Sequence, residues 1–404
     1  MGIRICYPYS DFASLVLHLL LRIRSFQDAA IYFSTTIDGS SRFRIIENAK
    51  KDGIDLVQFN WTNAAIAEIG RIRQDVMPLP DFSRATKIDI HSHIIPSFYE
   101  ALVKANLPSN RVPAWNLQDH LAFMSANGIA RSVVSISTPG ANIFPSGNAA
   151  PNSAVARLTN EYMFALAKTY PERFSFVANM PLPYIEESIV EARYAFDKLN
   201  TSGIGLLSSH EGQYHGSKAF ARFYEYLDTK STGVFYHPTI PLQEVNGTLV
   251  PAYPSYGFVF APFDFLFDTA RNIMNMTAAQ TMRENRNLRF GFAHCAGAWA
   301  SVADRYFGSP VYGPTESWEN YAEIFQTRAF YDTAGPMVPH AVQGLFAYEI
   351  PKTQLMYGTD FPYSIEIQNL TGALLNALID DADFFSEDEK KRIFESNAKA
   401  FLDI

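Results

Sequence analysis

Eight short apolar runs, separated by helical stretches and turn residues, recur between Lys87 and Pro362 and leave few folds open to the chain. They read KIDIHSH, RSVVSIST, FSFVANMP, IGLLSSHE, TGVFYHP, LRFGFAH, AFYDTAG and QLMYGTDFP. Strands that alternate with helices build βαβ units on a parallel sheet. Helical patterns lie between the runs at 117–126, 154–169, 185–199 and 217–228. Eight such units predict an α/β fold, a closed (β/α)8 TIM barrel over residues 87–404, which counts as one domain at about 250 residues or more. A composition shift near Pro78–Pro80 sets off residues 1–86 as an N-terminal extension, in which 49–53, IDLVQFN and 64–73 look like a small αβ segment.

Composition narrows the function classes. The 404 residues carry 33 Lys+Arg against 41 Asp+Glu, a net charge of −8, so a global basic field for nucleic acid is absent. Two cysteines, Cys6 and Cys295, cannot build a disulfide framework or a cysteine-based zinc module, which points to a reducing compartment and a cytoplasmic (cytosolic) location. The stretch FASLVLHLLL at 12–21 contains a histidine and is too short for the ~20 residues that cross a membrane. With no small-x-small cleavage site after it, it reads as an amphipathic or buried helix rather than a targeting segment. GxGxxG and GxxxxGK[ST] fingerprints are missing, so no organic cofactor is expected.

In such a barrel the C-terminal strand ends share one pocket, and the polar residues of the eight runs sit there. His91 and His93 close the first run, His237 the fifth, His294 the sixth and Asp360 the eighth. Residues i and i+2 of a strand point to one face, so both imidazoles of His91-Ser-His93 can reach one ion. Three imidazoles and a carboxylate suit a single divalent metal, Zn²⁺ first and Mn²⁺ as the alternative, with a position left for water or substrate. The fourth run has no lysine that could bridge a second ion. His294 is either a fourth histidine ligand or an uncoordinated imidazole that moves a proton at neutral pH. Arg305 and Arg111 are candidate partners for a substrate carboxylate, each otherwise a surface ion pair. His210 is a substrate contact or an exposed loop residue. Trp115, Phe258, Phe260, Phe263, Trp299 and Tyr363 are candidates for an aromatic wall or for core. Cys295, next to His294 on the predicted strand, faces away from the pocket and reads as packing.

KIDIHSHIIP, VFYHP, LRFGFAHCAGAW and MYGTDFP together resemble the signatures of the amidohydrolase-related metal-dependent decarboxylases, on the branch of aminocarboxymuconate-semialdehyde decarboxylase. Within it the chain looks most like the fungal 6-methylsalicylate decarboxylases. The resemblance spans residues 87–400 and implies one divalent metal, usually Zn²⁺, held by His91, His93, His237 and Asp360. It also implies a catalytic His294 working on water at the metal. Arg305 would reach a substrate carboxylate from across a dimer interface, and hence the protein would be a homodimer. Two departures stand out. HCAGAWA at 294–300 replaces a glycine-rich HGGGAFP-like segment, which implies a reshaped pocket, and Gly297 stands where some hydroxybenzoate decarboxylases have a glutamate. The expected reaction is the non-oxidative decarboxylation of an ortho-hydroxybenzoate, 6-methylsalicylate to 3-methylphenol and CO2, in fungal polyketide secondary metabolism. The expected partner is a small aromatic acid, with neither nucleic acid nor a membrane span involved. His294 and Asp360 are the two candidate proton donors to the ring. The alternative is a metal-dependent hydrolase of a lactone, ester or amide on the same barrel.

Overall fold

Strands β1 (Lys87–Ile94), β2 (Ile129–Ile136), β3 (Phe174–Asn179), β4 (Gly203–Leu207), β5 (Gly233–His237), β6 (Arg289–Phe292), β7 (Ala329–Asp332) and β8 (Leu355–Met356) form one parallel sheet in sequence order. Past β8 the chain returns to β1: Ser92 and Phe361 bridge in parallel, His93 N donates to Phe361 O at 2.7 Å, and Ile90 N donates to Tyr357 O at 3.0 Å. This is the expected (β/α)8 barrel. The structure is a computed structural model that describes residues 39–108, 110–252, 261–309 and 317–404; the 12–21 stretch, Cys6, Phe258 and Phe260 lie outside the described residues. No helix among the described residues is long and apolar enough to cross a membrane.

The strands are near-continuous apolar runs because both faces of the sheet are covered. Ile88, Ile90, Val133, Val177, Phe235, Phe330 and Met356 pack together with Phe401 and Leu402 of the C-terminal helix (Asn397–Leu402), which seals the end where the strands begin. Gly291 makes that seal possible, since a Cβ there would stand 2.6 Å from Phe401 Cζ. The opposite end, where the strands finish, carries the polar residues.

Local chemistry explains where the predicted elements differ. β4 stops at Leu207, and Ser209–His210 pairs antiparallel with Gln213–Tyr214 in a small hairpin. The expected strand IDLVQFN is a 3₁₀ turn at Leu56–Gln58, because the Asp55 side chain accepts from Val57 N at 3.3 Å and caps it. Helices at Leu117–Ala126 and Ile185–Leu199 match expectation, whereas 154–169 starts earlier, at Ala149.

Buried charges join the helices before β1 to the barrel. Arg157 has no exposed surface; its Nε donates to Glu191 and its Nη2 to Asp52, both at 2.8 Å, and its guanidinium carbon lies 3.6 Å from the Tyr194 ring centroid. Replacing Arg157 by Met leaves the fully buried Glu191 without its cation. Removing one partner of such a pair costs about 3–5 kcal/mol, so urea denaturation of Arg157→Met should show a loss of that order. A loss below ~1 kcal/mol would mean that the pair carries no net stabilisation.

Candidate metal centre

β1 delivers His91 and His93 from alternate positions, as the i, i+2 rule requires, and both rings are fully buried. His237 is the last residue of β5. Asp360 lies beyond β8 with φ of +57°, a left-handed backbone that aspartate tolerates better than most residues, and its N–H donates to His91 O at 2.8 Å. One ligand atom from each of these four residues lies within 4.8 Å of the others.

The far side of each ring is already committed. His91 Nδ1 donates to Asp332 Oδ2 at 2.8 Å, and His237 Nδ1 donates to Pro238 O at 2.6 Å. His93 Nδ1 lies 3.0 Å from Ser135 Oγ, which itself donates to Ser92 O at 3.4 Å. Each histidine is thereby held in the tautomer that leaves Nε2 bare. The His91 and His93 Nε2 atoms face one another at 3.1 Å, and Asp360 Oδ1 lies 3.4 and 3.3 Å from them, buried and without a hydrogen-bond partner. Lone pairs and a buried anionic oxygen converging on one point fit a divalent cation, and three nitrogens with one oxygen fit zinc or manganese.

The electrostatics follow from the same contacts. Burial opposes charge on His91, while Asp332 and Asp360 beside it act to raise it. Burial, reinforced by the neighbouring imidazoles, lowers His93 and His237. Burial works against the Asp360 carboxylate, yet the His91 and His93 rings that face it hold it well below the usual range.

His294 follows β6 by two residues in a turn where His294, Cys295 and Ala296 all have positive φ, at 53°, 51° and 63°. Such strain collects at functional sites and must be held by its surroundings. Asp332 Oδ1 accepts from His294 N at 3.0 Å, Ala334 O accepts from His294 Nδ1 at 3.0 Å, and Asp332 O accepts from Cys295 Sγ at 3.2 Å. Cys295 is therefore packing, as expected, although in a strained turn rather than on a strand. Gly297 (φ +59°) ends the turn, and a Cβ there would stand 2.3 Å from Leu266 O, so a glutamate cannot replace it without moving that backbone.

Asp332 escaped the sequence reading. It closes β7 and is buried, and all its acceptors are in use: Oδ2 for His91, Oδ1 for His294 N and Ala334 N (2.8 Å). It also stands within ligand distance of His91 and His294, but those commitments make it the holder of both rings rather than a ligand. The signal was present, a lone carboxylate within AFYDTAG that closes the strand Ala329–Asp332, the strand-end position that His237 also takes. Outer partners of this kind are worth about 10–100-fold in metal affinity. Asp332→Ala is expected to fall in that range in a metal-competition titration, and unchanged affinity would remove Asp332 from the support of the site.

The cluster opens into a cavity of about 180 Å³, small beside the roughly 300–1,000 Å³ of pockets for drug-sized ligands. His237, His294 and Asp360 form its polar floor, Ser137, Thr138 and Tyr363 add hydroxyls, and Phe265, Leu266, Met337 and Ile367 add apolar surface. Among the described residues the lining holds no lysine or arginine. Arg305 and Arg111 are both exposed and outside it; Arg305 sits on the Trp299–Phe307 helix in an open groove with Met274 and Val302. His210 is neither exposed nor in the cavity: it is buried, with Nδ1 against Asn142 Oδ1 at 2.9 Å and Nε2 accepting from Leu207 N at 3.3 Å. Of the aromatic candidates Tyr363 lines the cavity, Trp299 is core stacked on Phe325, Trp115 packs on His120 and Phe263 is exposed.

A parallel (β/α)8 barrel that gathers three imidazoles and a carboxylate at its C-terminal mouth has the layout of single-metal barrel enzymes. The amidohydrolase family model matches residues 88–404, and the chain belongs to that family. It is similar to a decarboxylase of Penicillium terrestre, 28% identical over 69% of this chain and 84% of the relative. It is also similar to a 6-methylsalicylic acid decarboxylase of Aspergillus aculeatus, 27% identical over 68% of this chain and 84% of that one. The crystal structure of 5-carboxyvanillate decarboxylase from Novosphingobium aromaticivorans, with manganese and 4-hydroxy-3-methoxy-5-nitrobenzoic acid, superposes with a TM-score of 0.67 at 16% identity, over 79% of this chain and 96% of that one. The decarboxylase names of these relatives support a carboxy-lyase, and the superposed crystal structure shows the shared fold.

Proposed function

We propose that the chain is a metal-dependent, non-oxidative decarboxylase of an ortho-hydroxybenzoate, acting on 6-methylsalicylate to give 3-methylphenol and CO2 in a polyketide pathway of the cytosol. The observation that carries the reading is the convergence of His91, His93, His237 and Asp360 on one edge of a small, largely apolar cavity with His294 beside them. These four residues would hold a divalent ion, zinc in our reading, which would supply positive charge for the acidic end of the substrate. Phe265, Leu266 and Met337 give the cavity an apolar wall against which an aromatic ring would pack. A proton is added to the ring carbon that bears the carboxylate. The bond to that carboxylate then breaks, its electron pair returns to the ring, and CO2 departs. His294 and Asp360 are the two groups on the cavity wall able to carry that proton.

The dimer belongs to the same proposal. The cavity lacks a cation of its own chain among the described residues, while Arg305 stands exposed beside the apolar Val302. A partner subunit docked there would bring Arg305 to a neighbouring site. The test is zinc-loaded protein incubated with 6-methylsalicylate and followed by mass spectrometry. Appearance of 3-methylphenol, abolished by a chelator and restored by zinc, is expected. Turnover of another hydroxybenzoate alone would move the substrate, and no CO2 from any aromatic acid would overturn the reading.

A further inference from the structure

Residues 39–86 lie outside the family match, and they make a contact that the barrel cannot make for itself. The Ser97–Asn106 helix begins four residues after His93, and its N-cap is Pro96, which makes no side-chain capping bond. A helix start leaves N–H groups without partners, and these need a cap. Here the cap comes from the Thr62–Gln74 helix: Ser97 N donates to Glu68 Oε1 at 2.8 Å and Phe98 N donates to Glu68 Oε2 at 3.0 Å. A carboxylate at this end also suits the helix dipole.

The contact runs on to the cavity. Tyr99, the next residue of the capped helix, is fully buried, and its hydroxyl donates to Ser137 O at 3.0 Å and Gly140 O at 2.9 Å. Ser137 and Thr138 line the cavity, and Ser137 Oγ donates to the Tyr363 hydroxyl at 2.7 Å. A second contact reaches the same loop, because the Trp61 ring stacks on Phe144 at 6.3 Å and 22°.

We propose that the segment before β1 is a positioning element for the cavity: Glu68 caps the helix behind the metal-binding strand, and Tyr99 transmits that cap to the Ser137–Gly140 wall. Glu68 and Tyr99 are positioning residues, supporting a cavity that they do not themselves line. The kinetic part of the test rests on the decarboxylase reading; the exchange part does not.

The experiment compares full-length wild type with Glu68→Ala by hydrogen–deuterium exchange and by steady-state kinetics. Faster exchange is expected in 97–106 and in 137–144 but not in 329–335. KM should rise by roughly five- to tenfold, the scale of a lost cap, with kcat and metal content unchanged. Glu68→Ala combined with Pro96→Asp supplies a local cap and should restore both readouts, while unchanged exchange in 329–335 separates the effect from a general loss of stability. Tyr99→Phe should loosen 137–144 while leaving 97–106 as in wild type, and it carries the test if Glu68→Ala does not fold. Loosening confined to 97–106, an unmoved KM, or no rescue by Pro96→Asp would overturn the proposal. If the wild type decarboxylates no aromatic acid, the function reading fails and the exchange pattern alone decides.

Discussion

Asp360→Ala is expected to abolish decarboxylation and to release the metal together. Asp360 is the one anion in a set whose other three members are imidazoles with Nδ1 already committed. Its Oδ1 lies 3.3–3.4 Å from the His91 and His93 Nε2 atoms and has no hydrogen-bond partner, which leaves it free to bind a cation whose charge would offset its burial. Removing it leaves a divalent charge in a buried pocket with neutral ligands alone. Loss of an outer partner costs about 10–100-fold in affinity, and loss of a ligand should exceed the top of that range. With the ion gone, the charge stabilisation that it supplies is lost as well. Several kcal/mol of barrier correspond to about 10³-fold or more in rate. Metal analysis after dialysis, with turnover on the same sample, checks both. Full zinc content with full activity would place Asp360 outside the site.

The barrel was legible because its strands are buried on both faces and so appear as uninterrupted apolar runs, each ending in a turn or a polar residue. The same rule brought out His91, His93, His237 and Asp360, since each stands where a strand opens into the mouth. Asp332 followed the rule too and was passed over, because a carboxylate shows its role only through its partners, and these come from β1 and from the turn after β6. His210 misled for the converse reason: a histidine after a strand looks like a site residue until the hairpin at 209–214 turns it against Asn142. The capping role of Glu68 was not readable at all. It joins residues 29 positions apart, and the local sequence before the 97–106 helix offers only a proline.

His294→Ala separates the proton carrier from the ligand set. Ala334 O holds His294 Nδ1, which leaves Nε2 as the free nitrogen of a ring on the cavity wall. The strained turn that presents the ring does not depend on it. His294 N is held by Asp332, Cys295 Sγ by Asp332 O, and Gly297 lies against the Leu266 backbone. The variant should therefore keep its fold and its metal while turnover falls by about 10²–10⁴-fold, the range of a lost general acid or base. Free imidazole added to the variant should restore part of the rate, because truncation leaves room beside the four ligands. Metal loss matching that of Asp360→Ala would move His294 into the coordination set. Undiminished turnover would assign the proton to Asp360, making one residue both ligand and acid.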